Sequence, residues 1–113
     1  MQRPSGAYTN GLAKSFFDMS KGYVYIMTNK HHTVLYTGMT GHLKDRVINH
    51  KIKKYRYSFS ARYNIDKLVY YEEFDDIKDA YRREQQIKKS SRKKKIVLIE
   101  KMNPSWEDLY EKL

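Results

Sequence analysis

A glutamate lies where the helix pattern calls for an apolar side chain. In DDIKDAYRREQQIKKS the apolar positions are Ile77, Ala80, Tyr81 and Ile87, and at 100° per residue Glu84 falls among them, not opposite. A carboxylate on a core-facing stripe is costly unless it is paired, hydrogen-bonded or bound to a metal. Two readings are open. Glu84 pairs with an arginine or tyrosine, or it is a ligand for a hard divalent cation such as Mg²⁺, which takes oxygen donors and keeps several waters.

Tyrosine usage is the second anomaly. GYVYIMTNKHHTVLYTG, residues 22–38, alternates like a β-hairpin but places Tyr23, Tyr25 and Tyr36 where Val or Ile would serve. With NKHH as a four-residue loop and Thr28 opposite Thr33, Tyr25 falls directly opposite Tyr36. Directly opposed Cβ atoms lie about 4.5–5.5 Å apart, so two hydroxyls are expected together. A different loop length moves this register. Tyr23 shares the parity of both and is read as a supporting residue. The next segment, GHLKDRVINHKIKKY, reads as a helix over 43–54 with Leu43, Val47, Ile48, Ile52 and Tyr55 on its apolar arc. Arg46 and His50 are four residues apart and share a flank that Lys53 continues.

Around these residues the expected elements are few. The chain has 113 residues, which suits one domain with a modest core. Residues 1–20 read as a weakly structured extension, and 21–113 as the folded unit. Strands at 23–28 and 33–40 precede the helix; KYRYSFSARYN reads as a loop mixing basic and aromatic residues, and KLVYYEEF as a third strand. Asp75 or Asp76 caps a second helix, Ser90 or Ser91 a third, and NPSWEDLYEKL closes the chain with a turn and a short helix. The fold class is therefore α+β: a small three-stranded antiparallel sheet flanked by three or more helices, in the order β-β-α-β-α-α.

A formal net charge of +10 points to a polyanionic partner. The absence of cysteine excludes disulfides and thiolate zinc sites and suits a reducing cytoplasm. His31, His32 and His42 lack zinc-site spacing, and Trp106 and the Tyr70–Tyr71 pair read as packing. No apolar run of transmembrane length and no signal-peptide pattern is present in the sequence. The basic runs HKIKKYRYSFSARY and KKSSRKKK read as a cradle for phosphates, with Lys44, Lys53, Lys54, Arg56, Arg62, Lys88 and Lys89 as the expected nucleic-acid contacts.

Taken in order, Tyr23-Val24-Tyr25, then Tyr36-Thr37-Gly38, Arg46 ten residues after Tyr36, and Glu84 in RREQQIK resemble the GIY-YIG endonuclease family. The resemblance covers roughly residues 22–108 and is nearest to small stand-alone members, which resemble the N-terminal nuclease domain of the excision-repair nuclease C subunit. His50 matches a histidine of some branches, and Asn103 an asparagine near the end of the domain in some members. The chain departs from the family pattern in several places. Tyr23 and Val24 stand for the first Gly and Ile, and Thr37 for the second Ile. The lysine that several relatives carry soon after the second motif has no counterpart before Lys44.

The resemblance implies metal-dependent phosphodiester hydrolysis, on DNA with RNA as a further possible substrate, using one Mg²⁺ or Mn²⁺, and a repair or processing role. Arg46 would neutralise the phosphate with directed donors. Glu84 would hold the metal. Tyr25 or Tyr36 would take the proton of the attacking water, with His50 positioning or assisting. Gly38, Tyr23 and Asn103 would support the site. The alternatives are a non-catalytic nucleic-acid-binding module on the same scaffold, and a protein-interaction adaptor.

Overall fold

The computed structural model describes residues 20–113. The extension expected over residues 1–20 lies outside them, save Ser20. Among the described residues the elements are strands β1 (Gly22–Thr28) and β2 (Leu35–Thr40), helices α1 (Leu43–Lys51) and α2 (Phe59–Arg62), and strand β3 (Lys67–Phe74). Helices α3 (Ile77–Lys88) and α4 (Arg92–Met102) and a 3₁₀ turn at Leu109–Lys112 complete the chain. The sheet is antiparallel with order β2-β1-β3. The α+β class and the order β-β-α-β-α-α stand, with the short α2 added inside the segment read as a loop.

Central position explains the composition of β1. Val24 and Ile26 point into a core with Val69, Ala80, Ile87 and Ile99, against α3 and α4. Tyr25 and Met27 point into a second core with Leu43, Val47, Ile65, Leu68 and Leu109, against α1 and the 3₁₀ turn. A strand buried on both faces reads as a near-continuous apolar run, not as apolar alternating with polar. The helix starts follow from capping: the Asp76 carboxylate accepts from the Lys78 amide at 2.9 Å, and the Ser91 hydroxyl from the Lys94 amide at 3.2 Å.

Two details of the sequence reading are corrected. The hairpin loop runs over six residues, because Thr28 pairs with Leu35, not Thr33. The Asn29 carbonyl Oδ1 accepts from the amides of Thr33 at 2.9 Å and Val34 at 3.1 Å, which turns both residues out of the ladder. Tyr25 consequently lies opposite Gly38, and Tyr36 opposite Met27. The shift is of even parity, so Tyr23, Tyr25 and Tyr36 keep a common face. The first helix ends at Lys51, short of 54. Lys53 adopts φ 53°, and the amides of Lys53 and Lys54 bond back to the carbonyls of His50 and Asn49. This is the Schellman closure that usually carries Gly at the position Lys53 holds. Ile52 and Tyr55, expected on the apolar arc, are exposed as a result, and so is Tyr81 on α3.

Candidate active site

Gly38 makes room for the site. A Cβ placed there would lie 2.5 Å from both Cζ and the hydroxyl oxygen of Tyr25, so the Tyr25 ring lies flush over the glycine. That close approach is available to no other residue type. Tyr25 is fully buried, and Tyr36 packs diagonally against it with ring centroids 6.4 Å apart. The neighbouring helix α1 supplies the polar partners. Arg46 donates from Nη1 to the Tyr25 hydroxyl at 3.4 Å, and His50 Nε2 lies 3.4 Å from the same oxygen. The His50 ring meets Tyr25 and Tyr36 edge-on, at centroid distances of 6.0 and 5.3 Å. Among the described residues no carboxylate pairs with Arg46.

Ser60 is a participant that the sequence reading missed. It is buried, and its hydroxyl lies 2.9 Å from His50 Nδ1. It sits on α2, whose cap is Ser58: the Ser58 hydroxyl accepts from the Ala61 amide at 3.3 Å. The signal available was the Ser-x-Ser pattern ahead of Ala61, but a four-residue helix is too short to show a period. With Nδ1–H donating to Ser60, Nε2 is left as an acceptor facing the Tyr25 hydroxyl. Tyr36, Arg46, His50, Ser60 and Lys53 all line one pocket of about 300 Å³, together with Asn49, Tyr55 and Ser58.

Two titrations in this group are shifted. Burial, reinforced by Tyr36 and Glu84 and opposed by Arg46, pushes the Tyr25 phenol up to about 12. Burial first, and then the Arg46 charge, lowers His50 below the ordinary histidine value. Tyr25 is thus a phenol that keeps its proton near neutrality, and His50 a neutral imidazole able to accept one.

Glu84 is 8% exposed and lies between Ala80 and Ile87 on the buried stripe of α3, which packs across β1 and β2. Its partners are neither an arginine nor a tyrosine: Oε2 faces Lys88 Nζ at 3.2 Å, and Oε1 accepts from Gln85 Nε2 at 3.2 Å. It is close enough to Tyr25 to raise that phenol's pKa. No group of three or more acidic, histidine or cysteine side chains gathers among the described residues. A lone buried carboxylate held by two side chains that can swing away fits a Mg²⁺-type ion that retains mostly water and phosphate oxygens.

The other expected site residues are spread out. Lys53 lines the pocket from its left-handed turn. Lys54, Arg56 and Arg62 are exposed around α2. Lys44 and Tyr23 line a separate hollow near the chain end, and Lys89 lines a groove with Arg83 and Lys94 between α3 and α4. Lys88 is the partner of Glu84. Asn103 caps α4, where its amide nitrogen donates to the carbonyls of Val69 and Glu107 and its Oδ1 accepts from the Glu107 amide, so its polar groups are taken up by backbone.

Residues 21–97 match the GIY-YIG catalytic domain. A UPF0213 protein of Syntrophus aciditrophicus is 42% identical over 86 residues, spanning 76% of this chain and 97% of that one. A UPF0213 protein of Staphylococcus haemolyticus is 40% identical over 83 residues (73% and 98%), and one of Clostridium perfringens 38% over 94 residues (80% and 94%). No solved structure gives a significant match.

Proposed function

The chain belongs to the GIY-YIG family, and on that premise we propose that it is an endonuclease hydrolysing phosphodiester bonds of DNA with one divalent cation, Mg²⁺ or Mn²⁺. The observation that carries the proposal is the Arg46 guanidinium, free of any carboxylate among the described residues and set beside Tyr25 and His50 at the wall of a pocket. A half-buried cation of this kind has unused donors for an anion, and a phosphate oxygen approaching it meets Lys53 as well.

Arg46 binds the scissile phosphate and stabilises the charge that grows as a water oxygen adds to phosphorus. The water's proton passes to the Tyr25 oxygen while the Tyr25 proton passes to His50 Nε2, and Ser60 holds the imidazole in the accepting tautomer. Tyr36, whose hydroxyl has no partner among the described residues, is placed to position the phosphate or the water. Glu84 would hold the cation, which supplies Lewis-acid stabilisation of the phosphate and the leaving oxygen. A repair or processing role, RNA as a further substrate, and a cytoplasmic setting belong to the same proposal. No described helix is long and apolar enough to cross a membrane.

The Lys88–Glu84 contact favours a second reading: a binding module in which lysine has taken the place of the cation. Incubation with supercoiled and branched DNA in Mg²⁺ or Mn²⁺ separates the two. The nuclease reading requires nicking that is lost in Glu84→Ala; the binding module gives salt-sensitive binding that Glu84→Ala leaves unchanged, with no cleavage in either metal.

A further inference from the structure

The segment after α1 is built inside out. Between Lys53 and Asn64 the buried side chains are the small ones, Ser60 and Ala61. The large rings face outward, with Tyr57 83%, Tyr55 63%, Phe59 53% and Tyr63 47% exposed. Four aromatics left in water over nine residues run against the hydrophobic preference of the chain, and grouped apolar exposure of this kind marks a contact surface.

Three observations identify what the surface contacts. Two of the rings continue a ladder out of the candidate active site: Tyr36 stacks on Phe59 with centroids 6.5 Å apart at 27°, and Phe59 meets Tyr63 at 4.7 Å. Residues 53–65 carry the cations Lys53, Lys54, Arg56 and Arg62 and no carboxylate, and two of these cations lie over rings of the set: Lys54 over Tyr55 and Arg56 over Tyr57. Tyr55 and Lys53 belong to the same pocket as Arg46 and His50. Protein interfaces are depleted of lysine at their centre. Rings interleaved with cations suit a polyanion that also offers flat apolar faces, which is a nucleic-acid strand whose bases are not already stacked in a duplex.

We propose that residues 53–63 are a stacking platform for unpaired bases, so that the substrate is single-stranded or carries unpaired nucleotides beside the phosphate held at Arg46. The inference rests on the nuclease reading for the position of that phosphate, while its test is a binding measurement that needs no cleavage. The probes are labelled dT20 and a hairpin duplex of equal nucleotide count closed by a non-nucleotide linker, so that every base is paired, titrated in EDTA at fixed salt. Wild type is expected to bind dT20 more tightly than the hairpin. Tyr57→Ala/Tyr63→Ala, altering two exposed rings outside the buried cores, is expected to lose about tenfold or more on dT20 and less than about threefold on the hairpin, given the usual worth of base–aromatic stacking. Arg56→Gln/Arg62→Gln is expected to weaken both probes and flatten the salt dependence. Equal binding of the two probes by wild type, or equal or no loss in the tyrosine variant, overturns the proposal. Preference for dT20 with no cleavage under any metal sinks the nuclease reading alone; cleavage of duplex with no preference for dT20 sinks the platform alone.

Discussion

Among the described residues two tyrosine–arginine–glutamate groups stand out, and they differ in one respect. Tyr25 with Arg46 and Glu84, and Tyr70 with Arg83 and Glu72, both contain a phenol pushed up to about 12, chiefly by burial. In the second group every member is bound to another. Tyr70 donates to Glu72, and Arg83 Nε donates to the same carboxylate oxygen at 2.9 Å. Charge is balanced and the donors aimed at that carboxylate are in use, which suits a stabilising tie between β3 and α3. In the first group no hydrogen bond links the phenol to the carboxylate. Among the described residues the Arg46 guanidinium hydrogen-bonds only the Tyr25 hydroxyl, at 3.4 Å, and Glu84 is held by Lys88 and Gln85. Identical residue types make a strut when bound to one another; in the first group they leave Arg46 without a carboxylate partner among the described residues.

The sharpest break between the two groups is in turnover. Arg46→Ala and Glu84→Ala should each lower cleavage about 10²-fold or more while leaving thermal unfolding little changed, since each removes an electrostatic contact made to the reacting phosphate or its cation. Glu72→Gln should do the reverse. It leaves Arg83 without its counter-charge and should cost about 1–3 kcal/mol in urea denaturation, with turnover per folded molecule near wild type. Gly38→Ala should act on both readouts. Its methyl must displace the Tyr25 ring, costing about 1–3 kcal/mol and moving the hydroxyl away from Arg46 and His50.

The pH profile gives a smaller effect. His50 has a lowered pKa, so its neutral form prevails down to below the ordinary value of about 6.5. Turnover should fall as pH drops through that lowered pKa, and His50→Gln should remove this acid limb. The sign for stability agrees. A histidine whose pKa is depressed on folding contributes stability above the unfolded value, and the contribution is lost as pH falls through the folded value. The smallest effect is at Lys53. Glycine there should relieve the left-handed strain and stabilise by about 0.5–1 kcal/mol, while weakening DNA binding through the lost cation.

The features legible in the sequence were those with a period or a spacing. Helical phase alone singled out Glu84, and strand parity put Tyr23, Tyr25 and Tyr36 on one face even with the hairpin register off by two. That register depended on the Asn29 side chain holding the amides of Thr33 and Val34, a local bond that alternation does not encode. The end of α1 was hidden because a lysine fills the turn position where glycine would have announced it. Ser60 was hidden because α2 is one turn long. Gly38 was recognisable as a motif residue, but its reason, the Tyr25 ring lying on it, belongs to the packing.

Glu72 is tied to the tyrosine and arginine of its own group, whereas Glu84 is held by Lys88 and Gln85 outside its group, so the most direct measurement pairs Glu84→Gln with Glu72→Gln. Each variant is assayed for DNA cleavage in Mg²⁺ and for its unfolding midpoint. Loss of cleavage with an unchanged or raised midpoint in Glu84→Gln, and retained cleavage with a lowered midpoint in Glu72→Gln, is the result predicted. Full cleavage by Glu84→Gln, or a collapse of its stability to match that of Glu72→Gln, would contradict it.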